Sequence, residues 1–488
     1  MNRRGASNFE PAFATAEETA DAIRRKRISA SELLELTFRR IDLHNPKINA
    51  IVWQFREQGM ARARQADEML AAGKTLGPLH GVPVTIKEAF AYKDSPNTWG
   101  LPQLKDVMSP RTAVAVERLE AAGAIVIGKT NVPVMLGDWQ SYNPIYGTTN
   151  NPWDLTRTPG GSTGGGSAAI AAGLGCLTLG SDLSGSIRIP AHFCGVFGHK
   201  PSLELVSTDG FQPGPWDGSP GFPMDLGAAG PLARSARDLA LALNVLGGPS
   251  GDDAKAWEWH MPAPRQKRLK DFRIGYLIDD KFCPVASDIR EVYENVLGEL
   301  TRTGAKMESG WPGIDPQAQL KTYQYLLFAF LSFDLEKEQR ESLRARLEKN
   351  PDDIYAAAAV EPHGRWLIET QRRLAFRAIW QKYFESHDVF LLPAGFSAAF
   401  PHDHSQPLEK RVIETPEGKR PYIETPLWTC FAALAGLPAT VAPVGRTKAR
   451  LPAGIQIVAP MWEDGTSIEF AALLTEITGS FTAPEGFR

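Results

Sequence analysis

HGVPVTIKE (80–88) alternates Val82, Val84 and Ile86 with Pro83, Thr85 and Lys87. This is the period-two pattern of a strand, and it leaves Lys87 at the strand end. A helical stretch over 112–122 follows, then AIVIG (124–128), a short apolar run that reads as a buried strand. Strand, helix and strand in this order point to an α/β architecture. N-terminal to this unit the chain reads as helical. Thr15 with Glu18, and Ser29 with Glu32, have capping-box spacing. Leu34, Phe38 and Ile41 fall on one face of the second helix, and Pro46 is expected to end it.

C-terminal to the unit, residues 141–166 are rich in Asn, Pro, Gly, Ser and Thr and read as a loop. The loop leads into SAAIAAG (167–173), a small-residue helix, CLTLGSD (176–182), a strand, and SIRIPAHFCG (186–195), a short helix. Residues 250–415 carry more charge and more helix formers, with polar or proline-containing breaks near 250–265 and 401–420. They read as an insertion or cap on the substrate side. The segments 430–445 and 453–460 return to apolar strands and small residues. The expected organisation is a single domain over 1–488. It has a helical segment at 11–75 and a catalytic core formed by 76–245 and 420–488.

A formal net charge of -3 from 53 basic and 56 acidic residues offers no electrostatic attraction to nucleic acid or an anionic membrane. Cys176, Cys194, Cys283 and Cys430 are scattered, without a CxxC pair, which fits a reducing compartment rather than a disulfide scaffold. Arg3 and Arg4 are not followed by the apolar region of a signal peptide. No run reaches the ~18 apolar residues of a membrane span. The expectation is a cytoplasmic protein.

Two stretches are dense enough to carry chemistry. PGGSTGGG (159–166) implies a sharp turn or a close backbone approach, with a flexible loop as the bland reading. A phosphate loop needs Lys-Ser/Thr after the last glycine, and Ser167-Ala168 stands there. Residues 160–164 match GxSxG, but Pro152 and Pro159 leave no room for the preceding strand that a nucleophile elbow requires. In SDLSGSIRIP (181–190), Ser184, Gly185 and Ser186 lie between a strand and a helix start, where free N–H groups suit an oxyanion. For Ser186 alone, helix N-capping is the competing account. His402-Asp403-His404 is the one histidine cluster, and its polar, proline-bounded setting reads as a solvated turn. No set of residues has zinc-ligand spacing. A desolvated lysine also serves a serine as base. Lys87 closes an apolar strand, though an exposed strand end remains the plain reading for it alone.

Taken together these stretches resemble the amidase signature family, which includes fatty acid amide hydrolase and the A subunit of the tRNA-dependent amidotransferase. The resemblance runs from about Thr19 to the C-terminus. It rests on GVPVTIKE, GKTNVP (128–133), YGTTNNPWD (146–154), PGGSTGGGSAA, GSDLSGSIRIPAHFCGVFGHKPS (180–202), LAGLPA and GIQIVAP. It implies a central twisted mixed β-sheet covered by helices on both faces, and an amidase that needs no cofactor and no metal. It also implies a Ser–cis-Ser–Lys triad: Ser186 as nucleophile, Ser162 (24 residues earlier) as bridge and Lys87 as base, with a cis Gly161–Ser162 peptide. The backbone N–H groups of Leu183, Ser184, Gly185 and Ser186 are implied to hold the oxyanion, with Thr163, Asp182 and Arg188 in support. Thr163 stands for the usual second serine, and Ser184 for glycine or alanine.

The loop after GKTNVP lines the acyl site in relatives, so Leu136, Gly137, Asp138 and Trp139 are the expected pocket residues. TYQYLLFAFLSF (322–333) reads first as a core helix and second as an apolar wall for an aryl or alkyl group. The expected substrate is a small or medium carboxylic amide, with aryl amides, carbamates and esters as further options. The partner set is that small molecule alone, without nucleic acid or membrane, for a monomer or homodimer. The alternative is an A-subunit-like component of an amidotransferase. Against it, RPYIETPLWTCFAALAGLP (420–438) lacks that subunit's Met-Tyr and downstream aspartate.

Overall fold

The computed structural model describes residues 9–219 and 224–488. Arg3 and Arg4, which bear on the signal-peptide reading, lie outside them. Eleven strands of one mixed sheet run in chain order as β1 (Ile51–Gln54), β2 (Pro83–Lys87), β3 (Ile125–Thr130), β4 (Leu177–Asp182), β5 (Phe197–Lys200), β6 (Ala228–Ala233), β7 (Arg273–Tyr276), β8 (Lys306–Ser309), β9 (Val389–Pro393), β10 (Ala439–Arg446) and β11 (Pro452–Val458). Their spatial order is β1-β3-β2-β4-β6-β5-β10-β11-β9-β7-β8. Parallel pairs join β3, β2 and β4 at one end and β9, β7 and β8 at the other, and antiparallel pairs link the middle. Helices flank this sheet, as the α/β reading requires.

The strand at 83–87 is buried on both faces, so its alternation does not separate a wet face from a dry one. A strand between parallel neighbours and covered by helices is closed to water on each side. Register then sets the site. Val84, Thr85 and Ile86 pair with Leu177, Thr178 and Leu179, which brings the C-terminal ends of β2 and β4 side by side. Thr85 Oγ1 donates to Thr178 Oγ1 at 2.7 Å inside this pair.

Both expected capping boxes form, at Thr15/Glu18 and Ser29/Glu32. Pro46 does not end the second helix, which continues to Ile48. A proline in a last turn removes only its own N–H, and Asn49 caps the helix in the left-handed region, its N–H reaching the Asn45 carbonyl at 2.7 Å.

The segment 250–415 is not a separate insertion. It supplies β7, β8 and β9 to the main sheet, and it also carries the helices Pro316–Leu331, Lys337–Lys349, Ile354–Val360 and His363–Tyr383. The sequence hides β8 because it is an edge strand with exposed, charged positions (Lys306, Glu308), which erases the apolar alternation.

The glycine run is a close approach rather than a flexible loop. The helix Gly164–Ala171 starts inside it and is buried on all sides. A Cβ on Gly165 would lie 2.4 Å from the Asn131 amide nitrogen, so only glycine lets this helix sit against the end of β3.

Candidate functional site

Lys87, at the end of β2, is fully buried, which excludes the exposed strand end. Its Nζ donates to Ser162 Oγ at 2.7 Å and to Ser181 Oγ at 2.9 Å. Burial pushes its pKa down from the ordinary lysine range to about 7, against the opposing pull of Asp182. Ser162 follows a cis Gly161–Ser162 peptide and leads into the buried helix at Gly164. Thr163 ties the two serine-bearing segments together. Its N–H donates to the Ser186 carbonyl at 3.1 Å, and its Oγ1 to the Ser181 carbonyl at 3.2 Å. The backbone segments that carry Ser162 and Ser186 thus meet next to Lys87. Among the described residues no hydrogen bond joins the Ser162 and Ser186 hydroxyls, so the Ser186 hydroxyl is not committed to its neighbour.

The turn after β4 is organised by Asp182, not by the serines. Asp182 Oδ1 accepts from the Gly185 N–H at 2.8 Å, and Oδ2 accepts from the Ile187 and Arg188 N–H groups at 3.1 and 3.2 Å. The carboxylate therefore caps the helix Arg188–Cys194, and the serine hydroxyls do not cap it. Arg188, buried with it, donates Nε and a terminal nitrogen to the same carboxylate at 2.9 and 2.7 Å. Its other terminal nitrogen donates to the Thr429 carbonyl at 2.7 Å and to Gln456 Oε1 at 2.6 Å. Burial works to raise the Asp182 pKa, but Arg188 and the N–H donors outweigh it and hold the carboxyl down to about 2.

Gly185 does not serve the oxyanion as expected, because its N–H is turned to Asp182. Its glycine identity has a steric reason. It sits at φ 87°, and a Cβ there would lie 2.6 Å from Ile189 Cδ1 and 2.8 Å from Thr429 Oγ1. The Leu183, Ser184 and Ser186 N–H groups have no acceptor among the described residues. A turn with unpaired donors beside a serine matches what a developing oxyanion needs.

The 134–139 loop borders this turn. A Cβ on Gly161 would lie 2.5 Å from the Asp138 carbonyl oxygen, so the loop backbone runs against the glycine before Ser162. Met135 and Leu136 are both held at positive φ, and Gly137 is exposed. Asp138 is not open to a ligand. It is paired with buried Arg411 at 2.7 Å, accepts from the Tyr142 hydroxyl at 3.1 Å, and is also bonded by the Tyr422 hydroxyl. Trp139, half-buried, donates its Nε1–H to the Ser184 carbonyl at 2.9 Å and packs against Tyr422.

The 322–333 stretch divides. Thr322, Tyr323, Tyr325 and Leu326 are core, while Leu331 and Phe333 face outward. The core part packs with Leu183 and Leu434, which links the helix to the turn. His402 and His404 are not in a solvated turn. His402 Nε2–H donates to Asn150 Oδ1 at 3.1 Å, and His404 stacks on Tyr142 with ring centroids 3.7 Å apart. Burial pushes His402 down to about 4. The polar sequence misled here because the loop is clamped by Gln140, which bonds the Asp403 backbone through both its N and O atoms.

Ser181, Tyr323, Arg411 and Tyr422 were not legible as site residues. Ser181 carries one available signal: in β4 it continues, at a spacing of two, the face of Leu177 and Leu179, which pair with β2. The others come from segments distant in the chain. Among the described residues no group of three or more His, Cys, Asp or Glu side chains is arranged to hold a metal ion, and no helix is long and apolar enough to cross a membrane.

A protein-family model described as Amidase matches residues 32–468. The A subunit of the glutamyl-tRNA(Gln) amidotransferase from Carboxydothermus hydrogenoformans is 31% identical over 484 residues, covering 94% of this chain and 96% of that one. An acylamidase of Rhodococcus erythropolis is 32% identical over 479 residues, covering 94% of each. A solved amidase crystal structure has a TM-score of 0.75 at 26% identity, covering 96% of this chain and 100% of that one. With its sheet, its motif order and these similarities in agreement, the chain belongs to the amidase signature family and is an amide-hydrolysing enzyme.

Proposed function

We propose that this chain is a stand-alone amidase that cleaves a small or medium carboxylic amide, including aryl amides, carbamates and esters, through a covalent acyl-enzyme on Ser186. The observation that carries the reading is Lys87: fully buried, with a pKa of about 7, and 2.7 Å from Ser162 Oγ. A neutral lysine accepts the Ser162 proton while Ser162 takes the Ser186 proton. Ser186 Oγ then bonds to the carbonyl carbon, and the oxyanion is received by the Leu183, Ser184 and Ser186 N–H groups. The same relay returns the proton to the nitrogen as the C–N bond breaks. Water then gives a proton to the neutral relay as its oxygen bonds to the acyl carbon, and the relay returns that proton to Ser186 Oγ as the ester C–O bond breaks and the acid leaves.

The test is amine release from a simple aryl amide by the purified chain, with a fluorophosphonate adduct mapped by peptide mass. The expected adduct is on Ser186. An adduct on Ser162 would overturn the assignment.

The pH dependence follows from Lys87. The base form is required, and it predominates above the depressed pKa. The expected kcat/KM therefore rises with pH, inflects at about 7 and levels off above it. A profile flat from about pH 5 to 9 would exclude Lys87 as the base.

Similarity to the amidotransferase A subunit favours a second reading, glutamine hydrolysis feeding a partner. The segment at 420–438 speaks against it. Ammonia release from glutamine, compared with amine release from the aryl amide on the same preparation, separates the two.

A further inference from the structure

Two consecutive carbonyls of the turn after β4 each accept a hydrogen bond from an aromatic side chain. The Leu183 carbonyl accepts from the Tyr323 hydroxyl at 3.2 Å, and the Ser184 carbonyl from Trp139 Nε1–H at 2.9 Å. A trans peptide is planar, so its C=O and N–H point in opposite directions. Holding the Leu183 carbonyl outward therefore aims the Ser184 N–H the other way. Holding the Ser184 carbonyl outward aims the Gly185 N–H at Asp182 Oδ1, where it is found at 2.8 Å.

This turn needs such restraint. Gly185 has no Cβ and sits at φ 87°, so the Ser184–Gly185 peptide plane is easily rotated. A rotated Leu183–Ser184 plane would present a carbonyl oxygen where the reaction needs a donor, and a rotated Ser184–Gly185 plane would break the Gly185–Asp182 hydrogen bond that shapes the turn. Ser184 itself adds little restraint, the Tyr323 hydroxyl lying beside its buried side chain without closing a well-formed hydrogen bond.

Both donors are themselves held. Tyr323 is 1% exposed in a cluster with Leu226, Leu326, Cys430 and Leu434. Trp139 packs on Tyr422 and follows Asp138, which Arg411 fixes in place.

We infer that Tyr323 and Trp139 are positioning residues that clamp the oxyanion turn: Tyr323 holds the Leu183–Ser184 peptide with the Ser184 N–H toward the reaction, and Trp139 holds the next peptide with the Gly185 N–H on Asp182, which keeps the turn in that shape. This gives Trp139 a role apart from lining the acyl pocket. It rests on the serine chemistry proposed above.

Trp139→Phe and Tyr323→Phe each keep a ring and remove the donor. For each variant and the double variant, kcat and KM on an aryl amide are measured. The affinity for a trifluoromethyl ketone, which forms a tetrahedral oxyanion adduct on a serine, and the melting temperature are measured beside them. Removal of a direct oxyanion donor costs on the order of 10²–10³ in kcat, and loss of a clamp on one donor is expected to cost about tenfold. KM should stay unchanged, and ketone affinity should fall by the same factor as kcat. If kcat and ketone affinity stay within about twofold of the parent in both variants, the clamp is overturned. A loss confined to KM overturns it as well, because that is the signature of a pocket wall. Should Tyr323→Phe fail to fold, Trp139→Phe alone decides. A Ser186→Ala control separates the two failures. Activity retained there removes the serine chemistry and the clamp with it, whereas an inert control with unaffected clamp variants removes the clamp alone.

Discussion

Ser186→Ala lowers kcat on an aryl amide by on the order of 10⁵–10⁶, and Lys87→Met and Ser162→Ala each cost nearly as much. The size follows from the relay. Without the hydroxyl no acyl-enzyme forms. Without Lys87 the relay has no base, since the fully buried Lys87 Nζ is what Ser162 Oγ and Ser181 Oγ accept from among the described residues. Groups that act as one unit lose their effect together, so the Lys87→Met/Ser186→Ala double variant is expected to be no slower than the worse single one. Lys87→Met keeps the volume of a fully buried side chain and guards against collapse of the site. The measurement is steady-state amine release, with circular dichroism to verify folding. Lys87→Met within about tenfold of the parent would exclude the relay, and multiplicative losses in the double variant would exclude its acting as one unit.

Arg188→Met produces the largest expected loss of stability. Arg188 and Asp182 are both fully buried and bonded through two nitrogen–oxygen contacts. Removing one member leaves a buried carboxylate without its counter-charge, which costs about 3–5 kcal/mol. The variant also frees the Thr429 carbonyl and Gln456 Oε1.

The sign of the pH effect is fixed by Asp182. Its folded pKa, about 2, lies below the unfolded value, so its contribution to stability is present above the unfolded pKa and is lost as pH falls through about 2. In Arg188→Met burial instead raises the carboxyl pKa. The stability gap between parent and variant is therefore greatest near neutral pH and narrows in acid. Urea unfolding at about pH 7 and about pH 4 reads this directly. A gap below about 1 kcal/mol at neutral pH, or one that widens in acid, would show that the pair is not what holds this turn.

These two expectations draw on different kinds of information. Lys87, Ser162 and Ser186 were singled out by the resemblance to the amidase signature family, because each taken alone had a plainer reading as strand end, loop residue or helix cap. A lysine at the end of an apolar strand, a glycine-flanked serine and a second serine 24 residues later are all visible in one dimension. The α/β class was legible from local pattern, since β2 and its N-terminal flank show the period-two alternation of Val82, Val84 and Ile86, and β3 opens within the apolar run 124–128. The edge strand β8 was not, because an edge exposes charged positions and breaks that pattern.

What the amino-acid order determined by itself is the class of sheet and the candidate reactive groups that it carries. Local hydrogen-bonding and burial preferences act over a few residues, and they suffice for that. Only the tertiary structure decided what each group does in the site. It turned the Gly185 N–H to Asp182, closed Asp138 against Arg411 from 273 residues away, and packed His404 on Tyr142. It also brought Tyr323 and Trp139 to consecutive carbonyls of one turn. Such pairings depend on which distant segments the sheet order makes neighbours. A polar residue's partner is set by that proximity and by the cost of leaving a buried donor or acceptor unpaired, and neither is written in the residues adjacent to it.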